Sequence, residues 1–318
     1  MTLRANLQPT LHSLSETLSM ITSQPSIFLV DVFTQDAFWG NPVAVIVPGT
    51  RLPPELMWRI ARWTGMPETV FVLPQEPRGP GANEADYSVR IWSPLCELLF
   101  AGHPSIGTAH VLLEDGAIEP THGRFVQQCP AGRIDMRVAS VGAQRRISFR
   151  TPVPTVERLD EAGQAAVLAA LGCTGASMQI ALVDAGARWL VVELASASDV
   201  NALKPNLERV HALSALYRVS GITVLGHEQT GDANFEVRSF APAIGVPEDA
   251  VCGGGNACAA AWVAYRNDWR MGCADGIISQ GRHVGRAGRV FWEGPDQDRR
   301  IGIGGFAVTI SAGTFRLH

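Results

Sequence analysis

The chain has 318 residues, 46% hydrophobic and 18% charged, enough apolar material for two ordinary domains or one large one. A formal net charge of −4, with no basic run and no acidic tail, gives no electrostatic reason to expect nucleic acid or a membrane surface as partner. The six cysteines contain no CxxC pair and no framework spacing, so neither a zinc site nor a disulfide scaffold is expected.

Residues 1–26 are Ser/Thr-rich and lack the apolar centre of a signal peptide; they read as a flexible N-terminal extension. No later run reaches transmembrane length, and a cytoplasmic protein with reduced thiols is expected. Ordered structure is predicted to begin with the β-rich run SIFLVDVFT (Ser26–Thr34), then a turn at WGN and a strand at PVAVIVPG. Arg51–Gly65 has helical periodicity, ETVFVLP is strand-like, and the segment ending in ADYSVRIWSP is a loop followed by a strand. A helix opens at a glycine turn and covers Gly102–Gly116; strands run on to Arg145–Pro154, whose prolines suit a crossing between halves.

The second half repeats this plan. A helix at LDEAGQAAVLAALG precedes a strand pair over Gln179–Leu194, a helix at LERVHALSALYRVSG and a strand at GITVLGHE. ANFEVRSFAP (Ala233–Pro242) then matches ADYSVRIWSP (Ala85–Pro94) nearly position for position. Each is followed by glycines and an Ala-containing helix, FAGHPSIGTAHVLL in one half and VCGGGNACAAAWVAY in the other. The order of elements predicts an internal duplication. Two similar lobes would offer two glycine-opened helices to one cleft. A helix N-terminus presents unpaired N–H groups and a partial positive charge, so two converging ends suit a carboxylate or a developing enolate.

The motifs DVFTQDAFWGNPVAVIVPG, MPETVFVLP, SPLCELLFAGHPSIGTAHVL, SFAPAIGVPEDAVCGGGNACAAAWV, SQGRHVGRAGRV and IGGFAVTISAGTFRL resemble the PhzF-like isomerases of phenazine biosynthesis. That family shares its duplicated fold with diaminopimelate epimerases and proline racemases. The resemblance spans Phe28 to Leu317 and implies an α+β fold of two pseudo-symmetric lobes, each a β-barrel-like sheet wrapped around a central helix. It divides the chain into residues 27–150 with the last strand (about 302–318), residues 151–301, and a cleft between the two lobes. It also implies a small carboxylate as ligand, an amino acid or a dihydro-hydroxyanthranilate-like acid, no cofactor or metal, and a homodimer. No P-loop and no GxGxxG after a strand suggests a nucleotide.

Carried over by motif, the acid/base glutamate falls on Glu68, the histidine on His103 beside Gly102, and the aspartate on Asp249. Burial is expected to raise the pKa of Glu68 toward working pH. His103 is expected to bond substrate or pass a proton, and Asp249 to bind a substrate amine or cap the helix. The resemblance breaks at Cys252 and Gly254, where the family has Thr and Ser. CGGGN is instead similar to the CGTG of diaminopimelate epimerases, whose opposed second thiol would fall on Ala101. Cys252, with its pKa expected to be lowered by the helix N-terminus, is therefore either a second base facing Glu68 or a small residue lining the pocket. Asn41, Gly253, Gly254, Gly255 and Asn256 complete the expected pocket, while Cys258 is expected in the core. Three readings stay open: a one-base isomerase using Glu68, an epimerase or racemase using Cys252 with Glu68, and a binding module without turnover.

Overall fold

The computed structural model describes residues 24–47, 52–74, 85–173, 179–314 and 316, so residues 1–23 of the expected extension lie outside the described residues. The first-half strands are β1 (Ser26–Val32), β2 (Asn41–Val47), β3 (Glu68–Val72), β4 (Tyr87–Trp92), β5 (Glu97–Leu98), β6 (Arg124–Cys129), β7 (Gly132–Val141) and β8 (Gln144–Arg150). Next come β9 (Thr155–Arg158), β10 (Gln179–Asp184), β11 (Arg188–Leu194), β12 (Gly221–His227) and β13 (Phe235–Phe240). The last four are β14 (Gly276–Gln280), β15 (Gly288–Glu293), β16 (Gly302–Gly305) and β17 (Ala307–Thr314). The α-helices are α1 (Pro54–Thr64), α2 (Gly102–Glu114), α3 (Glu161–Leu171), α4 (Ala197–Ala202), α5 (Leu207–Tyr217) and α6 (Gly253–Arg266).

Strand pairing shows the duplication in register. In the first lobe, β1 pairs antiparallel with β2, β2 parallel with β3, β3 antiparallel with β4, and β4 parallel with β6. The second lobe repeats the same senses through β10, β11, β12, β13 and β14. Even the partners correspond. Thr69 faces Trp92 in one lobe and Ile222 faces Phe240 in the other; Val43 is level with Glu68 as Trp189 is level with Gly221. β9 flanks β10 as β17 flanks β1, so the C-terminal strand completes the lobe that begins the chain. A β8–β16 ladder joins the two sheets.

Each lobe encloses one helix. All residues of α2 from Gly102 to Leu113 are buried, as are eleven residues of α6. A helix apolar on every side has nowhere to go but the interior. Small residues let it fit: a Cβ on Gly107 would stand 2.7 Å from Val43 Cγ1. Fully buried side chains such as Ile106 and Trp262 fill the space between helix and sheet, at roughly 1.5–3 kcal/mol each for such residues. The outer helices cover the other sheet faces. α1 inserts Leu56, Met57 and Ile60 against Ile46, Phe71 and Trp92. α3 and α5 place Val167, Val210 and Leu213 against Ile180, Leu190 and Ile222. α1 starts with Pro54 at its first turn and stops at Gly65, φ +65°, the left-handed conformation that glycine adopts without strain. No described helix is long and apolar enough to cross a membrane.

Candidate active site

The N-termini of α2 and α6 abut. A Cβ on Gly253 would lie 3.2 Å from Gly102 Cα and 3.3 Å from the His103 nitrogen, so a side chain there would push the helix ends a few tenths of an ångström apart. Helix geometry leaves the N–H groups of Gly102, His103, Gly253 and Gly254 without intrahelical acceptors. Both macrodipoles therefore bring partial positive charge to one place.

Glu68 opens β3 beside this point. Its side chain is 17% exposed, yet Oε2 is buried and lies 3.1 Å from His103 Nε2, out of line for a hydrogen bond. Burial, and secondarily the Asp249 carboxylate, push the Glu68 carboxyl up to about 8. Burial pushes His103 down to about 3, although its ring also bonds the Pro42 carbonyl. Since Nε2 faces Glu68, the bond to Pro42 falls to Nδ1–H, which leaves Nε2 with its lone pair toward the carboxyl. At neutral pH the two groups are a neutral acid and a neutral imidazole, not an ion pair.

Asp249 ties the lobes together. Its Oδ1 accepts from Asn41 Nδ2 at 2.9 Å and from the Val251 N–H at 3.2 Å, and Asn41 Nδ2 also donates to the Val251 carbonyl. Burial raises its carboxyl pKa. Asp249 does not cap α6. The cap is Cys252, whose Sγ accepts from the Gly255 N–H at 3.2 Å. The expected lowering of the Cys252 pKa is overturned: burial first, then the Asp249 charge, drive it well above 9. The helix end does act on the sulfur, but one N–H does not offset the loss of water and a neighbouring carboxylate. The thiol hydrogen-bonds to Asp249, which holds it protonated.

Asn256, expected as a pocket contact, is fully buried and committed to the protein. Its Nδ2 donates to the Cys252 carbonyl and Gln280 Oε1, and its Oδ1 accepts from Trp292 Nε1. Gly255 is needed for close packing, since a Cβ would sit 2.6 Å from both Ser239 Oγ and Thr223 Oγ1. Gly254 is half-buried and faces Trp189. Cys258 is in the core as expected, and Cys96 is exposed on the turn after β4.

Two supporting residues were missed by sequence reasoning. Gln280 accepts from the Cys252 N–H and donates to the Asp249 carbonyl, bracing the loop before α6. Asp31, 3% exposed, accepts from the Gly40 N–H and fixes the turn that presents Asn41. Both lie inside quoted motifs, but a buried polar residue in a strand carries no periodic signal. Among the described residues, no three His, Cys, Asp or Glu side chains gather closely enough to hold a metal ion.

The profile of a family described as phenazine biosynthesis-like protein matches residues 30–313. Antisense-enhancing sequence 1 of Schizosaccharomyces pombe is 37% identical over 231 residues, covering 71% of this chain and 76% of that protein. Trans-2,3-dihydro-3-hydroxyanthranilate isomerase of Pseudomonas fluorescens is 32% identical over 293 residues, covering 91% and 98% respectively. The crystal structure of a PhzF-family phenazine biosynthesis protein from Bacillus anthracis superposes with a TM-score of 0.79 at 23% identity, over 92% of this chain and 99% of that one, and so shares its fold. With its two buried central helices, matched strand registers and profile match over most of its length, the chain belongs to the phenazine biosynthesis-like, or PhzF-like, isomerase family.

Proposed function

We propose that the protein moves a proton within a small unsaturated carboxylate of the dihydro-hydroxyanthranilate type, with Glu68 as the single shuttling acid/base. The observation that carries this reading is the Glu68 carboxyl, raised to about 8 beside a neutral His103 where two helix N-termini meet. The substrate carboxylate occupies the N–H groups of the two helix ends. The ionised fraction of Glu68, a minority at neutral pH that grows toward pH 8, removes a proton from an sp³ carbon conjugated to the substrate carboxylate, and the electron pair shifts through the double bonds toward that carboxylate. Negative charge then develops against the N–H groups, which hold it without reorganisation. Protonated Glu68 returns the same proton to another carbon, leaving an isomer and a carboxylate ready for the next turnover. His103 stands neutral 3.1 Å from Glu68, where it brings no charge to the acid form, and does not itself ionise.

A two-base epimerisation needs a thiolate opposite Glu68, and the Cys252 pKa moves the wrong way for that. The symmetry-related base is also missing: Gly221 stands where the first lobe has Glu68. The test is solvent deuterium incorporation into dihydroaromatic acids and amino acids by wild type, Glu68→Gln and Cys252→Ala. Glu68→Gln is expected to slow exchange by about 10²–10⁴-fold, while Cys252→Ala keeps most of it. Exchange at an α-carbon that both substitutions abolish would replace this reading with the two-base one.

A further inference from the structure

The lobes differ most where their symmetry is closest. In the first lobe Glu68 and His103 stand beside Val43. In the second, register places Gly221 at the Glu68 position and Trp189 at the Val43 position. Gly254 lies two residues beyond the cap of α6, as His103 lies two beyond the cap of α2. Neither the acid nor the base is present there: Gly221 is packed against the Phe240 carbonyl, and at Gly254 the Trp189 indole stands where a side chain would begin.

That indole is left incomplete by the protein. Trp189 is 3% exposed, and its Nε1–H is buried without an acceptor. Nε1 lies 3.2 Å from the point where a side chain on Gly254 would begin, at the first turn of α6. Buried donors are nearly always satisfied, and an exception calls for a ligand, a water or a function. Three of the other unsatisfied buried atoms, Asn41 Oδ1, Glu68 Oε2 and His103 Nε2, belong to the site just described. Glycine at 254 keeps the indole N–H uncovered, since any Cβ there would stand against it.

We infer that Trp189 is a substrate-binding residue whose Nε1–H, with the N–H groups of Gly253 and Gly254, donates to the substrate carboxylate. This rests on the carboxylate reading of the site given above. It makes the lobes unequal in kind: the first supplies the proton carrier, and the second supplies the anchor that fixes which carbon faces it.

The test follows the indole N–H resonances of the full chain by NMR, with the Trp189 signal identified by its loss in Trp189→Phe. Titration uses anthranilate as a carboxylate probe and 2-aminobenzamide as its uncharged control. The Trp189 signal is expected to move downfield with anthranilate and not with the amide. Trp189→Phe is expected to weaken anthranilate about tenfold, as befits loss of one hydrogen bond to a charged group. If the Gly253 and Gly254 amides respond to anthranilate while the indole stays still, the inference is overturned and the carboxylate site survives. If neither the amides nor the indole responds, the carboxylate reading falls and this inference falls with it.

Discussion

Glu68 and His103 impose opposite costs on folding, and their sum sets a pH window. Glu68 has an ordinary value of 4.5 and about 8 in the fold, so between these the folded state holds a proton that the unfolded chain has lost. Stability therefore falls as pH rises across that range. His103 has an ordinary value of 6.5 and about 3 in the fold, so there the unfolded chain holds the extra proton and stability rises with pH. From pH 4.5 to 6.5 the two slopes cancel. Stability is expected to be highest on that plateau and to fall on either side, by about 2 kcal/mol between pH 6.5 and 8, where the Glu68 slope acts without the offset from His103. Thermal unfolding of Glu68→Gln checks this: the variant should be more stable than wild type at pH 8 and lose the decline above 6.5. An unchanged alkaline slope would contradict the buried-acid picture. Glu68 and His103 were legible only through the family motifs, because an isolated glutamate between helix and strand reads as solvated. The Cys252 pKa was misread because a helix N-terminus is visible in sequence, whereas the burial and the Asp249 charge that outweigh it depend on tertiary packing, in which Gln280 of β14 holds the loop before α6.

The central helices do more than fill the lobes; their ends meet at the candidate site. Where α2 meets α6, Gly253 is confined by Gly102 Cα at 3.2 Å and the His103 nitrogen at 3.3 Å, both backbone atoms that do not move aside singly. Gly253→Ala is expected to separate the helix ends and displace His103 from Glu68. Overpacking of this kind costs roughly 1–3 kcal/mol, and the loss of turnover should exceed what that destabilisation explains at 25 °C. Gly65→Ala serves as a comparison: its Cβ meets nothing, so its strain comes from the left-handed backbone alone. It should destabilise without lowering turnover per folded molecule. A Gly253→Ala enzyme of full activity would show that the helix ends need not touch. The glycine turns and alanine runs made α2 and α6 readable. β5 and β9, at two and four residues, were not, since strands that short carry no alternation and are defined by their partners.

At the scale of the whole molecule, the duplication explains an otherwise odd feature, a C-terminal strand that belongs to the first lobe. β17 runs antiparallel to β1, with Thr314 beside Ser26, as β9 runs beside β10 within the second lobe. The repeat between Ala85–Pro94 and Ala233–Pro242 announced two lobes, while the pairing of β17 with β1 spans almost the full chain and left no local trace. If the lobes are true repeats, the present ends of the chain are only one of two equivalent places to cut it. A circular permutant that joins Thr314 to Ser26 through a short linker would turn β17–β1 into a hairpin. New ends between Pro152 and Val153 lie in the exposed crossing between lobes, where Val153 is 54% exposed. Exposed connections of this kind tolerate such cuts. In the permutant the second lobe comes first and each lobe is built from contiguous chain, yet every ladder and the abutting helix ends are kept. It is expected to fold, to melt within a few degrees of the parent chain, and to retain proton exchange that depends on Glu68. A soluble permutant with cooperative melting but no exchange would show that β17 must close the first lobe from the C-terminal side to align Glu68 with the second lobe. An insoluble one would show that β1 and β17 are not interchangeable with β9 and β10 as members of a repeated unit.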